Sequence, residues 1–170
     1  MSGCATAAKG SLRLVVGSDP ARNRLIYKWT NGTAAISQLG DPVNGDTSYA
    51  LCLYADGLLA VEAVVPSNGA SGQVRKAPWI LIETGARYRL KEGSADGITG
   101  VDLMIGIGKA RVGITGKGAN LVLPALPLAA GSEVRAQFVK NPGSGPDCQE
   151  SSFPAPFTRN KPPGFVASWP

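Results

Sequence analysis

At 170 residues the chain has room for one domain, and folding at that size buries roughly 70% of the unfolded surface, so a core forms without metal or many disulfides. The composition is globular, 44% hydrophobic and 17% charged, and the 22 Gly and 13 Pro fall between apolar runs, a turn-rich pattern that disfavours disorder. No apolar run of about 18 residues exists, which excludes a membrane-spanning helix, and the absence of histidine excludes Ser-His-Asp and Cys-His nucleophile systems in their usual form and zinc sites built on imidazole.

Residues 1–10 lack the apolar segment of an intact signal peptide. Met1-Ser2-Gly3-Cys4 is similar to the end of a removed leader, with a small-residue pair before Cys4 as at a bacterial lipoprotein processing site; an ordinary small-residue N-terminus explains the same residues. Residues 11–16 then put Leu12, Leu14 and Val16 on one face of a strand, and residues 24–29 put Leu25, Tyr27 and Trp29 on one face with Arg24, Ile26 and Lys28 on the other. Asn31-Gly32 predicts a tight turn. Asp41-Pro42-Val43-Asn44-Gly45-Asp46 reads as a loop before a strand at 48–54, which Asp56-Gly57 turns into a second strand at 58–65, the strongest hairpin signal in the chain.

A polar, glycine-bearing loop at 66–77 leads to a second hairpin, residues 79–83 and 87–91 about Gly85-Ala86, in which Tyr88 and Leu90 face in and Arg87, Arg89 and Lys91 face out. After Asp96-Gly97, residues 101–107 place Val101, Leu103, Ile105 and Ile107 on one face, and Gly108-Lys109 is expected to turn them into 110–115. Strands at 120–123 and 133–140 flank the Pro- and Ala-rich connection 124–131. No segment carries a helical period over ten or more residues. Short alternating strands with turn signals between them predict an all-β antiparallel β-sandwich, jelly-roll or Ig-like, with a barrel as the alternative. The domain is expected over 11–152, after an N-terminal segment 1–10.

The tail 153–170 differs from what precedes it. Pro154, Pro156, Pro162, Pro163 and Pro170 argue against a regular central strand, while Phe153, Phe157, Phe165 and Trp169 are too apolar to be left in water. Such a tail is expected to pack on its own domain or on a neighbour, which makes those aromatics candidate assembly residues.

The net charge of +5 comes from 17 basic and 12 acidic residues. A solvated basic surface is the plain reading, and an acidic partner (anionic polysaccharide, cell-surface polymer or nucleic acid) is the sharper one. Nucleic acid is disfavoured because the basic residues are spread out and aromatics make up only 6% of the chain. Three cysteines permit three single bridges; Cys52 lies in a strand, Cys148 follows a Pro/Gly turn, and a Cys52–Cys148 bridge would close a long loop. Three buried thiols are the alternative.

Carboxylates for a glycosidase would have to come from Asp102, Glu62 and Glu83, but Glu62 and Asp102 fall opposite the apolar faces and read as solvated surface. Asp41, Asn44 and Asp46 offer oxygen ligands to calcium without the EF-hand pattern, and an Asx turn explains them without metal. Residues 113–118, Gly-Ile-Thr-Gly-Lys-Gly, lack phosphate-loop spacing. Trp79, after Pro78 at a loop edge, is the more open of two candidate stacking rings, although hairpin core explains it as well; Trp29 reads as core. No cofactor is expected.

The order of Tyr27-Lys28-Trp29, Gly40-Asp41-Pro42, Tyr49-Ala50-Leu51-Cys52-Leu53-Tyr54, Pro78-Trp79, Tyr88, Asp96-Gly97-Ile98, Gly116-Lys117-Gly118-Ala119-Asn120-Leu121 and Cys148 resembles a group of uncharacterised secreted bacterial β-domains, found singly or repeated in exported proteins. The resemblance spans most of residues 12–153. It implies export and a β-sandwich, and carries no activity or catalytic residue. The chain departs from that pattern with Pro78 where a Cys is expected and Gln149 where a Trp is expected. These readings together predict a non-enzymatic extracellular structural or assembly module, secreted or at the cell surface, whose partner is itself or a cell-surface polymer. The alternatives are a carbohydrate-binding or adhesion domain using Trp79, Arg87, Arg89 and Lys91, and a glycosidase working with carboxylates alone.

Overall fold

The computed structural model describes residues 4–6, 8–69, 77–141 and 148–169. In chain order the strands are β1 (Ala5–Thr6), β2 (Lys9–Val15), β3 (Arg24–Ala34), β4 (Ser48–Ala55), β5 (Leu58–Val65), β6 (Trp79–Ile82) and β7 (Gly85–Arg89). They continue with β8 (Ile98–Met104), β9 (Gly106–Lys117), β10 (Glu133–Asn141), β11 (Cys148–Pro154), β12 (Arg159–Lys161) and β13 (Gly164–Trp169). A five-stranded sheet runs β1-β11-β10-β4-β5, and an eight-stranded sheet runs β12-β13-β2-β3-β9-β8-β7-β6. Neither sheet closes on itself, so the chain is an all-β sandwich and the barrel alternative falls away.

Alternation along each strand builds the core. Leu12 and Leu14 of β2, Leu25, Tyr27 and Trp29 of β3, and Leu51 and Leu53 of β4 all turn inward and are buried. At the centre Tyr49 stacks on Phe138 with ring centroids 4.9 Å apart, and Trp79 lies 5.3 Å from Tyr49 and 5.2 Å from Tyr88. Aromatic pairs of this kind contribute about 1 kcal/mol each beyond the area they bury. The β4–β5 hairpin forms at Asp56-Gly57, both with positive φ. Its turn is pinned from the side, because the Asp56 carboxylate accepts from the backbone of Gly131, Ser132 and Glu133. Those bonds, with one from the Ser132 hydroxyl, hold its pKa well below the usual carboxylate range.

Several expectations change. Asn31-Gly32 does not turn the chain; it is a bulge inside β3, where the pairing with β9 shifts register between Trp29 and Gly32. The local reason is steric: a Cβ at Gly32 would stand 1.8 Å from Cη2 of Trp29. Because that indole is enclosed, Gly32→Ala is expected to cost about 3 kcal/mol, seen as a lower midpoint in chemical denaturation. An unchanged midpoint would mean that the indole does not lie over the bulge. The Gly108-Lys109 signal does mark a reversal: Met104 pairs with Arg111 and Leu103 with Val112, which centres the β8–β9 hairpin on Ile107-Gly108. Gly108 has positive φ and Ile107 is exposed, while Gly106 and Ala110 also pair with the end of β3. Residues 120–123 form no strand, although Leu121 is a core residue held by its contact with the Gly97 turn.

The largest change concerns both ends of the domain. β2 begins at Lys9, and β1 already pairs with β11, so the core sheets reach into residues 1–10. The boundary at 152 cuts through β11, and the tail supplies β13, which lies between β12 and β2 in the interior of the eight-stranded sheet. The prolines stay out of that strand: Pro162 and Pro163 occupy the turn before it. The Pro/Gly turn before Cys148 and most of the 66–77 loop lie outside the described residues.

Candidate functional site

Because side chains alternate, the outer face of the eight-stranded sheet is fixed once its inner face is filled. Pairing registers then align the outward residues in rows across the sheet. One row reads Lys161, Gly164, Val15, Arg24 and Lys117. The next reads Arg159, Val166, Arg13, Ile26, Thr115, Gly100 and Arg89. A third reads Ser168, Ser11, Lys28, Gly113, Asp102 and Arg87. Lys9 opposite Thr30, and Arg111 opposite Met104, extend the same face.

Asp102 is the one carboxylate in these rows. It is held by Arg87 at 2.9 Å and by both Nη2 contacts of Arg89 at 2.9 Å. Partial burial pushes the Asp102 pKa up, but the two arginines outweigh it and hold the carboxylate below its ordinary range. Arg89 also donates to the Tyr88 and Val101 carbonyls, and its guanidinium lies against Gly100, where a Cβ would stand 3.3 Å from Nη1. Among the described residues, Lys9, Arg13, Arg24, Lys28, Arg111, Lys117, Arg159 and Lys161 form no ion pair, and all are exposed. The outer face of the five-stranded sheet is different: there Arg135 is paired with Glu133 and Glu150, and Glu62 lies on the same face opposite Cys52. The sandwich is basic on one face and mildly acidic on the other.

Within the basic face lies a trough of about 290 Å³ lined by Arg13, Val15, Arg24, Ile26, Thr99, Thr115 and Lys117. Arg24 is fixed there. Its Nη1 donates to the Ala21 carbonyl at 3.2 Å and the Asn23 carbonyl at 2.8 Å. The Ala21 carbonyl is presented by a 3-10 turn, Pro20–Arg22, capped by Asp19. Asn23 is itself buried and tied to Gly17 and to the Leu121 carbonyl.

The sequence-predicted residues are distributed as follows. Arg87 and Arg89 belong to the basic face, and Lys91 lies exposed just past the end of β7. Trp79 is 1% exposed and its Nε1 donates to the Pro66 carbonyl, so it offers no ring face to a sugar. Pro78 misleads here: its carbonyl accepts from Arg89 and draws the following residue under the sheet. Phe153 and Phe165 are enclosed in the core of this same chain, and Phe157 packs on Phe165 at 5.2 Å. Only Trp169 remains half exposed, beside a cleft lined by Thr6, Gly10 and Glu150.

The cysteine pairing is also different from the one expected. Cys148 is bridged to Cys4, and Cys52 is free. Cys52 sits on β4 opposite Gln137, and β10 lies between β4 and β11. Two strand spacings, about 9.6 Å, exceed the reach of a disulfide. Asp102 and Glu62 lie on opposite outer faces of the sandwich, and Glu83 is in the β6–β7 turn, so the structure does not bring these carboxylates together. Asp41 Oδ1 accepts from Val43 at 3.0 Å and Asn44 at 2.8 Å, the Asx-turn arrangement. Among the described residues no group of three metal-ligating side chains forms around Asp41 and Asp46 or elsewhere.

Comparison with family models, curated proteins and solved structures finds no match to this chain.

Proposed function

We propose that the protein is a non-enzymatic adhesion or carbohydrate-binding module that holds an anionic polysaccharide of a cell surface against the outer face of its eight-stranded sheet. The observation that carries this reading is the row-by-row accumulation of unpaired Arg and Lys there, answered by Asp102 alone. A flat face with cations on neighbouring strands suits a chain bearing one negative charge per sugar unit. Nucleic acid is the poorer fit, since the rows contain no aromatic ring on which a base could stack. The Cys4–Cys148 bridge favours an oxidising compartment and so supports an extracellular place of work, in line with the resemblance to exported β-domains. Self-assembly through the tail has less support, because Phe153 and Phe165 are spent on the internal core.

The test is retention on immobilised polygalacturonate at low and high salt. Each exposed ion pair is worth about 0.5 kcal/mol, so replacing Arg13, Lys28, Arg111 and Lys117 together by Gln is expected to weaken binding about 30-fold. Retention should also fall as salt is raised. Equal affinity for double-stranded DNA would move the reading to nucleic acid, and a wild-type chain that binds neither polymer would end it.

A further inference from the structure

The trough on the basic face has features that bulk charge does not need. Most surface arginines swing freely, but Arg24 has both Nη1 hydrogens engaged by the carbonyls of Ala21 and Asn23. That leaves its Nε–Nη2 edge, two parallel N–H groups in a fixed plane, with no partner among the described residues. Such an edge matches the two oxygens of one carboxylate. Beside it Ile26 is 37% exposed, an aliphatic patch flanked by the cations of Arg13 and Lys117. The hydroxyls of Thr99 and Thr115 donate to the Thr115 and Gly100 carbonyls, so their oxygens are left to accept.

We propose that this trough is a subsite for a single uronate ring of the polysaccharide, with Arg24 as the fork that takes its carboxylate. The ring's C–H face lies on Ile26, its hydroxyls donate to Thr99 and Thr115, and Arg13 and Lys117 balance the charges of the neighbouring units. A volume of about 290 Å³ is at the small end for ligand clefts, about right for one ring and not for a long segment. A phosphate chain would use the cations but leave the aliphatic floor and the hydroxyl acceptors idle. The inference rests on the reading of the face as a polysaccharide-binding surface and adds to it a specific place and a specific charged group.

The experiment is calorimetric titration of the full chain with trigalacturonate, comparing wild type with R24K, R24Q, K28Q and R111Q. A fork is lost when Arg becomes Lys although the charge stays, so R24K and R24Q are each expected to weaken binding about tenfold. K28Q and R111Q, which remove charge elsewhere on the face, are expected to change it only about twofold. An R24K variant that binds like wild type overturns the subsite and leaves the face intact. The same follows if trigalacturonate is not bound while polygalacturonate still is, and loss of both overturns the face itself. Tripolyphosphate bound as tightly as trigalacturonate, with the same R24K loss, overturns the assignment to a uronate. Arg24 is exposed at the sheet surface, so an unchanged melting curve for R24K confirms that the fold is not what is being read.

Discussion

A chain ending at Ser152 is expected not to fold. Truncation there takes away Phe153, Phe157 and Phe165 together with β12 and β13. Phe153 and Phe165 are fully enclosed, and emptying a buried Phe position costs about 3–5 kcal/mol. Two such losses amount to most of the roughly 5–15 kcal/mol that holds a typical domain together. The backbone loss adds to this, because β2 would be left as an open edge along the whole of its pairing from Gly10 to Val15. The expected readout is a chain without a cooperative denaturation transition and with exposed Trp fluorescence. A truncated chain that unfolds cooperatively near the full-length midpoint would show that β13 is not part of the eight-stranded sheet. Light scattering on such a truncation would report aggregation of an unfolded chain, so it cannot test assembly; a Trp169→Ser substitution, at a half-exposed position, asks that question without damaging the core.

Breaking the Cys4–Cys148 bridge is the second large perturbation. The two residues are 144 apart in sequence, and on the chain-entropy account a loop of that length contributes about 5 kcal/mol. The bridge also holds the short parallel pair of β1 and β11, where Ala5 faces Gln149 and Thr6 faces Glu150. Two paired residues would not stay in place on their own. Cys148→Ser and Cys4→Ser are therefore expected to destabilise equally, by up to about 5 kcal/mol in denaturant titration, and mild reductant should reproduce the effect. Cys52→Ser is expected to leave the midpoint nearly unchanged. The reverse order, with Cys52→Ser costly and Cys4→Ser silent, would restore a Cys52–Cys148 bridge. Burial, then the neighbouring Glu62, pushes the Cys52 thiol upward, which keeps it a poor nucleophile for exchange with the bridge at neutral pH.

Strand positions were legible wherever alternation and a turn signal coincided. The β4–β5 hairpin about Asp56-Gly57 is the clearest case, with β5 running over 58–65 as read. Turn signals failed where sheet geometry used glycine for another purpose. At Asn31-Gly32 the glycine makes room for the Trp29 ring, and the backbone carries on in the same strand. The tail failed for a similar reason: prolines argue against a strand only where they fall, and Pro154 ends β11 while Pro156, Pro162 and Pro163 lie in connections, which leaves 164–169 free to pair.

The basic face shows a different limit. Each strand alone reveals which of its residues point outward: Arg24 and Lys28 alternate with Leu25, Tyr27 and Trp29 in plain view. What no single strand reveals is that β2, β3, β9, β12 and β13 are neighbours in one sheet. Cations that look scattered over the sequence are gathered by non-local pairing, such as Arg13 with Ile26 and Ile26 with Thr115. A count of outward Lys and Arg per strand would have flagged the excess, since β2, β3 and β9 each carry outward cations and no outward acid.

The pairing of β13 with β2 also sets a timetable. Gly10 finds its partner in Trp169, so the eight-stranded sheet joins segments from opposite ends of the described chain. Contacts that distant in sequence close slowly and late. On a ribosome, β2 is made early and then waits, its inner Leu12 and Leu14 uncovered on one side, until residues 164–169 have emerged. The Cys4–Cys148 bridge has the same delay, as neither the strand nor its clasp can form before nearly the whole domain is present. The unfinished domain is therefore an open-edged, unclasped sheet until β13 and Cys148 have been made, the state in which a holding chaperone would meet it.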